Sequence, residues 1–200
     1  MSLETGNVRV AVTGGFYYAP AGTALPVDAS TPLAVTYKEV GYLTEDGTVM
    51  SFGETNTDIK AWQNADVVRR IQTEQIVTLA LALMETNTRS LELWTGEAVT
   101  TAFEIKAGQL PHQVFMLEII DGDNTIRVVV PDGQITERGD VTFVNGDAIS
   151  YPITVTAFPD STGVKVYGYL DPTAPTLGEM RADNTDTEPV VLTDEQLVAA

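Results

Sequence analysis

The sequence predicts a mainly β fold in which two packed antiparallel sheets carry one flanking helix. Apolar residues alternate with polar residues over several segments of strand length, and turns rich in glycine, asparagine and aspartate separate these segments. One stretch, near residues 87–95, has helix-capping residues at both of its ends. The 200 residues, of which 44% are apolar, suffice for one large domain with extended arms. We expect three parts, which are residues 1–15, 16–170 and 171–200.

The first part, residues 1–15, is predicted to be an N-terminal arm or a first strand, because apolar residues alternate between Val8 and Val12. A long loop is predicted to follow over residues 16–34, which are rich in alanine, proline, glycine and threonine. A loop of this length inside a compact domain suggests a contact or a function.

About nine strands are predicted within residues 16–170, if residues 134–138 and 141–144 are counted as one strand interrupted at Gly139. The segment of residues 74–84 is apolar on both faces, so we expect it to be covered on both sides. The predicted strands are residues 35–43, 49–52, 57–63, 74–84, 114–120, 125–130, 134–138, 141–144, 149–157 and 164–170. Turns are predicted at residues 45–47, 121–124, 131–133 and 145–147, each of which contains a glycine.

One helix is predicted over about residues 87–95. Thr86 or Asn87 can cap its N-terminus, and Gly96 can end it. Leu91, with Leu93 and Trp94, gives the helix a packing stripe, so both Trp94 and the strand residue Trp62 are expected to be buried.

The third part, residues 171–200, differs in character from the rest of the chain. It contains seven acidic residues against one arginine, and three prolines interrupt it. Such a composition predicts an acidic tail or arm.

No catalytic, metal or cofactor site is predicted. His112 is the one histidine and cysteine is absent, so neither a zinc site nor a Ser-His-Asp arrangement has support. The acidic turn at residues 121–125 departs from the EF-hand pattern at its sixth and twelfth positions, Ile126 and Asp132. Glu118 and Glu137 could be read as the paired carboxylates of a glycosidase, but among 28 acidic residues such pairs are expected by chance. We therefore expect a protein that is not an enzyme.

The charge balance restricts the possible partners. Twenty-eight acidic and eleven basic residues give a formal net charge of −17. Such a chain does not attract the phosphates of nucleic acid. The charge fits either a surface that keeps the protein soluble or one past which DNA moves without being held.

Four landmarks occur in a fixed order in the first half of the chain. They are residues 17–26 (YYAPAGTALP), 41–47 (GYLTEDG), 59–63 (IKAWQ) and 83–87 (LMETN). In this order and spacing, from roughly Val10 to Leu170, the chain resembles the major tail tube proteins of bacteriophages with long, non-contractile tails (siphophages). The resemblance implies a structural protein of the virion tail. Six subunits would close a β-barrel ring, rings would stack into a helical tube, and the genome would pass through the tube.

The resemblance also implies partners and a location. The subunit would bind itself, a tape-measure protein in the lumen during assembly, a tail-tip complex and a tail-terminator protein. Assembly would take place in the cytoplasm of the bacterial host, and DNA would transit without specific binding. No apolar run approaches the length of a membrane helix, and the N-terminus lacks the features of a signal peptide.

Polar positions within otherwise apolar strands are candidates for the channel wall, and aromatic or arm residues are candidates for contacts between subunits. The candidate lumen-facing residues are Asp58, Lys60, Glu118, Arg127, Thr136 and Arg138. The candidate inter-subunit residues are Val8, Val10, Phe16, Tyr17, Tyr18, Leu25, Tyr42, Asp46 and Phe52.

Other protein classes remain open. A tube protein of a contractile tail or a related injection apparatus would follow the same logic, although the long loop and the acidic third part favour the non-contractile type. A capsid-decorating or carbohydrate-binding β-sandwich would use Trp62, Trp94 and the aromatic residues 16–18 as a stacking platform.

Overall fold

The computed structural model describes residues 8–171. The predicted acidic extension beyond Asp171 lies outside the described residues. Within them the chain forms eight strands and one helix. These are β1 (Thr13–Pro20), β2 (Lys38–Glu39), β3 (Leu43–Lys60), β4 (Val67–Leu83), α1 (Thr88–Thr95), β5 (His112–Asp121), β6 (Asn124–Arg138), β7 (Tyr151–Phe158) and β8 (Tyr167–Leu170).

All strand pairs are antiparallel, in the order β2-β1-β5-β6-β7-β4-β3, with β8 pairing beside β6. The predicted mainly β fold with one helix is confirmed. The strands are hydrogen-bonded into one continuous sheet, where the sequence suggested two. Continuity arises because β6 is long: one of its edges pairs with β5, while the other pairs first with β8 and then with β7.

The strands β3 and β4 form a hairpin of 18 and 17 residues, longer than the sequence indicated. The turn predicted at residues 45–47 is a bulge inside β3, since Leu43 pairs with Leu83 but Thr48 already pairs with Leu81. The hairpin turns only after Lys60, where the Ala61 N–H donates to the Asp66 carbonyl. Trp62 lies in that turn and is 95% exposed, so the prediction that it is buried is wrong.

Three further segments differ from the prediction. Residues 131–133 form an irregularity within β6 rather than a turn, and residues 141–144 are not a strand. Residues 8–12 precede β1, which instead contains residues 16–20 of the predicted loop. Glycine at position 14 allows β1 to lie close to β5, because a Cβ there would clash with the Glu118 carbonyl oxygen.

The helix α1 is confirmed with the capping residues that the sequence indicates. Asn87 is the N-cap, and its side chain accepts a hydrogen bond of 2.8 Å from the Ser90 N–H. Gly96 ends the helix at φ 79°, with its N–H donating to the Glu92 carbonyl at 2.8 Å. Because both signals act locally, the sequence predicts this element without knowledge of the tertiary fold.

Asn87→Ala is expected to lower the free energy of unfolding by about 1 kcal/mol, because the Ser90 N–H loses its acceptor. Urea unfolding followed by circular dichroism measures the change. Thr88→Ala, an exposed substitution one residue later, is the matched control and is expected to change stability by less than about 0.5 kcal/mol. Equal losses for both variants would contradict a capping role for Asn87.

The main core lies on the face of the sheet that carries α1, which we call the helix face. Phe16 and Tyr18, 0% and 2% exposed, pack there with Phe115. Their burial contradicts the predicted role of Phe16 and Tyr18 in contacts between subunits. Most of the rest of this core comes from β4, β7 and α1: Val77, Leu79, Leu81, Leu83, Tyr151, Ile153, Val155, Ala157, Leu91 and Leu93. Strand β6 adds Val130 and Ile135, and Val40 completes it.

A second, smaller core lies on the opposite face, over β1, β5 and the first half of β6. Val114, Met116 and Val129 are its buried members, together with Ala19. The segment of residues 21–37 covers it with apolar side chains. These are Leu25, Leu33 and Tyr37.

Candidate functional site

The other half of that opposite face carries no covering segment and forms what we call the open face. It consists of β3, β4, β7 and the second half of β6. The registers of these strands align one row across all four, Ser51, Thr78, Thr156 and Gln134. Thr136 also lies on the open face, because its Oγ1 is 2.8 Å from Oγ1 of Thr156. This row contains no charged residue.

The Ser51–Gln134 row of the open face is polar but uncharged, and the apolar side chains of Val49, Ile76 and Ala80 lie beside it on the same face. Hydroxyl and amide groups can exchange hydrogen bonds with water or a passing polymer, but they offer no fixed positive charge to phosphates. Acidic residues stand at its margins, Glu74 on β4 and Glu137 on β6. Such a surface allows contact without tight binding, and the prediction that Thr136 faces a channel remains consistent with it.

Two of the predicted lumen residues are instead buried under the 21–37 segment. Arg127 Nη2 lies 2.8 Å from Glu118 Oε1, and these side chains are only 7% and 15% exposed. Arg127 Nη1 also donates to the backbone carbonyls of Asp28 and Thr31, at 3.2 and 2.6 Å. A buried guanidinium requires such partners. Arg127 therefore fastens the segment to the sheet, which contradicts a lumen-facing role for Arg127 and Glu118.

Arg127→Met is expected to lower the free energy of unfolding by about 3 kcal/mol, because the Glu118 carboxylate would stay buried without its partner. Chemical denaturation measures the loss. The double variant Arg127→Met with Glu118→Leu removes both charges and is expected to recover most of the stability. If the double variant is as unstable as the single one, the ion pair is not the source of the loss.

The remaining predicted lumen residues also lie away from the open face. Arg138 lies over the Trp94 ring, 5.8 Å from its centroid, on the helix face. Asp58 Oδ1 accepts from Arg70 Nε at 2.7 Å, and this hydrogen bond lowers the pKa of Asp58. Strand alternation places Asp58 and Lys60 on the side opposite Ser51.

The outer half of the β3–β4 hairpin, residues 54–75, forms what we call the distal hairpin. Nearly all of its side chains are exposed. A two-stranded ribbon is only marginally stable in water, and its exposed apolar side chains mark an interaction surface. Its large exposed apolar residues are Ile59, Trp62, Val67, Val68 and Ile71. This surface was not predicted from the sequence, although the turn-forming residues 63–66 between two alternating segments indicate a hairpin there.

Two unpaired strand edges bound the open face within residues 8–171. On one side, no strand pairs with the outer edge of β3. On the other side, the pairing of β5 with β6 stops at His112 and Gln134, which leaves residues 135–138 without a β5 partner. Unpaired edges are templates for pairing with another chain.

The predicted inter-subunit residues separate into exposed and packed positions. Tyr42 and Phe52, beside and within β3, are 77% and 63% exposed. Tyr17 and Leu25 pack against the second core. Val8, Val10 and Asp46 are partly or fully exposed, so they remain candidates.

His112 lies at the surface, where its Nδ1 is 2.6 Å from Oδ1 of Asp132. Within residues 8–171, no helix has the length and apolar character needed to cross a membrane.

The chain was compared with known proteins by sequence and by fold. A family model described as phage tail tube protein matches residues 1–177. No curated protein matches the sequence.

Three of the solved structures that match this chain are as follows. A chain of the anti-feeding prophage tube-terminating cap is 10% identical, with a TM-score of 0.45, and the match covers 84% of this chain and 98% of that one. A chain from the tail of an empty GTA particle is 13% identical, with a TM-score of 0.40 and coverages of 80% and 96%. A chain from the sheath–tube complex of an extracellular contractile injection system is 9% identical, with a TM-score of 0.44 and coverages of 84% and 98%.

Proposed function

Since the chain belongs to the phage tail tube protein family, we propose that it is a structural virion protein that polymerises as stacked hexameric rings. The stacked rings would form the tail tube through which the genome passes into the host cell. The observation that carries the proposal is the open face of four strands, bounded on both sides by unpaired edges. We assign it no catalytic activity.

Ring closure follows from these edges. The outer edge of β3 in one subunit pairs with residues 135–138 of β6 in the next subunit, so that the four open-face strands continue from copy to copy. A repeated contact of this kind closes when the rotation between copies returns to the start. Six subunits then give a barrel of roughly 24 strands, and at about 4.8 Å between strands its diameter is on the order of 40 Å.

The open face forms the channel wall in this arrangement, and α1 lies on the outside. The wall presents hydroxyl and amide groups in the Ser51–Gln134 row, apolar side chains beside that row, and acidic groups at its margins. With a chain charge of −17, the field around DNA is repulsive. DNA therefore moves past the wall without specific binding.

The partners and location follow from the tube. A tape-measure protein occupies the lumen during assembly, a tail-tip complex starts polymerisation and a terminator ends it. The subunit is synthesised and assembled in the cytoplasm of the bacterial host and resides in the virion tail, of the non-contractile type. A tube protein of a contractile apparatus would differ by having a sheath partner on its outer surface.

Electron microscopy of the purified protein tests the proposal. The protein is concentrated and incubated overnight, alone and with preformed tail tips as seeds, and then imaged in negative stain. Hollow rods or six-membered rings with a stained centre are the expected result. Uniform small particles in both incubations would overturn the proposal.

A further inference from the structure

The connection between β6 and β7 contains the one Asn-Gly pair of the chain, Asn145-Gly146. The pair forms a turn, as the sequence predicts. The connection packs on the helix face through Val141 and Ile149, while residues 142–148 between them are exposed. The pair is therefore open to solvent, although the connection that carries it is held against the sheet on both sides of the turn.

An asparagine followed by glycine is chemically labile, because the glycine nitrogen can attack the asparagine side chain and close a five-membered succinimide ring. Glycine favours this attack, since it has no Cβ to hinder the approach and leaves the backbone free to adopt the required conformation. A fold prevents the reaction where hydrogen bonds hold the asparagine side chain or the next backbone N–H in place. The environment of each asparagine therefore decides whether it reacts in the folded protein.

The structure gives Asn145 no such protection. Within residues 8–171, neither the Asn145 side chain nor the Gly146 N–H has a hydrogen-bond partner. Gly146 has φ 99°, and no heavy atom lies within 4 Å of the position that a Cβ would take there. The glycine nitrogen is thus free of a competing bond, and the space around it is open.

Two other asparagines of the described residues show the contrast. Asn87, the N-cap of α1, has its side chain held by three hydrogen bonds, to Val40, Glu85 and Ser90. Asn64 lies in an exposed turn, as Asn145 does, but alanine follows it in place of glycine. The first is protected by its hydrogen bonds and the second by the methyl group of its neighbour.

We propose that Asn145 is a site of spontaneous deamidation in the folded subunit. The backbone nitrogen of Gly146 attacks Cγ of Asn145 and forms a new C–N bond. The bond from Cγ to the side-chain nitrogen breaks, and ammonia leaves with the proton of the Gly146 N–H. Solvent water then opens the succinimide at either of its two carbonyls, which gives aspartate or isoaspartate and adds one negative charge.

The new charge is added on one side of the sheet. Because Val141 and Ile149 pack on the helix face, the turn belongs to the side that the proposed tube presents outward. The negative charge joins that of Asp147, two residues further on, and the open face keeps its charge. The outward location rests on the proposed function, whereas the reaction depends on the subunit alone.

Peptide mapping by mass spectrometry of the full chain, incubated for days at mildly alkaline pH, tests the proposal. Trypsin releases residues 139–165, in which Asn145 is the one asparagine and glutamine is absent, so the modified position is unambiguous. We expect a growing fraction of this peptide to gain about 1 Da and to separate by chromatography into aspartate and isoaspartate forms. Asn145→Gln is the matched control and is expected to stay unmodified, because its longer side chain closes a less favourable ring.

The same incubation in urea separates the effect of the fold from that of the sequence. We expect the rates at Asn145 in the folded and unfolded chains to agree within about threefold, because the turn offers no protection, while Asn87 reacts more slowly when folded. Asn64 is expected to react at least roughly tenfold more slowly than Asn145 in both states.

Two results would overturn the inference. One is a folded rate at Asn145 below about a tenth of the unfolded rate, which would mean that the fold protects the turn. The other is equal conversion at Asn64 and Asn145. Since the measurement uses the subunit alone, neither result affects the tube proposal, and a subunit that forms no tubes can still deamidate at Asn145.

Discussion

Removing residues 57–71 and joining Asn56 to Gln72 through Asn-Gly is expected to abolish tube formation while leaving the subunit folded. Asn56 and Gln72 are direct cross-strand partners, so a two-residue turn can connect them. Nearly all of the deleted side chains are exposed and none belongs to either core. The deletion removes the apolar surface that the proposed assembly covers. Polymerisation therefore loses a contact between subunits, while the two cores that stabilise the fold keep all of their residues.

Thermal unfolding and light scattering measure the two effects of this deletion separately. We expect a melting temperature within a few degrees of the parent, since about 1 kcal/mol corresponds to roughly 2–4 °C for a chain of this size, and no scattering at concentrations that polymerise the parent. Phe143→Ser is the matched control, because Phe143 is an exposed aromatic residue, 76% accessible, outside the hairpin. Tubes from the deletion variant, or a collapse of its melting temperature, would contradict this account of the distal hairpin.

Phe115→Ala is expected to lower the free energy of unfolding by about 4 kcal/mol, enough to unfold a marginally stable domain. Phe115 is fully buried, and its ring centroid is 5.9 Å from that of Phe16. Gly133 also lies against this ring, so a smaller side chain leaves a cavity that its backbone neighbours cannot fill. Calorimetry or urea unfolding of the variant measures the loss.

Phe52→Ala is the control for this substitution, because it removes the same side chain from an exposed position on β3. We expect a stability change below about 0.5 kcal/mol together with weaker polymerisation, since Phe52 lies on the edge strand that closes the ring. If Phe52→Ala destabilised the subunit as much as Phe115→Ala, the division between core and assembly surface would be incorrect.

The elements that the sequence predicts well are those with local causes. Helix α1 is predicted almost to the residue because Asn87 and Gly96 act on the backbone beside them. The β5–β6 hairpin is predicted for the same reason, since Gly122 at φ 60° lies in the turn between two strongly apolar segments. Such signals do not require knowledge of the rest of the fold.

The turn predictions that fail do so because pairing partners override local signals. Gly47 has the positive φ that a turn favours, yet β4 continues past it and converts the turn into a bulge. Residues 131–133 likewise stay within strand β6 instead of forming a turn, because β5 and β7 pair with this part of the strand. Strand length is decided by a neighbour that lies far away in the sequence.

The candidate site shows the same division. Strand alternation identifies Thr136 as a surface residue, and the structure places it on the open face. No local pattern reveals that Arg127 is buried, because the carbonyls that hold it belong to Asp28 and Thr31, about a hundred positions earlier. Nor does alternation show that Trp62 lies in a turn, because that depends on where the hairpin ends.

A cryo-electron microscopy reconstruction of the assembled protein tests the central claim most directly, namely that the open face forms the wall of a tube. We predict six subunits per ring, β3 paired with the β6 end of its neighbour, and the row from Ser51 to Gln134 facing a continuous channel, with α1 outside. A tube with α1 facing the lumen, or an assembly without a channel, would contradict the account.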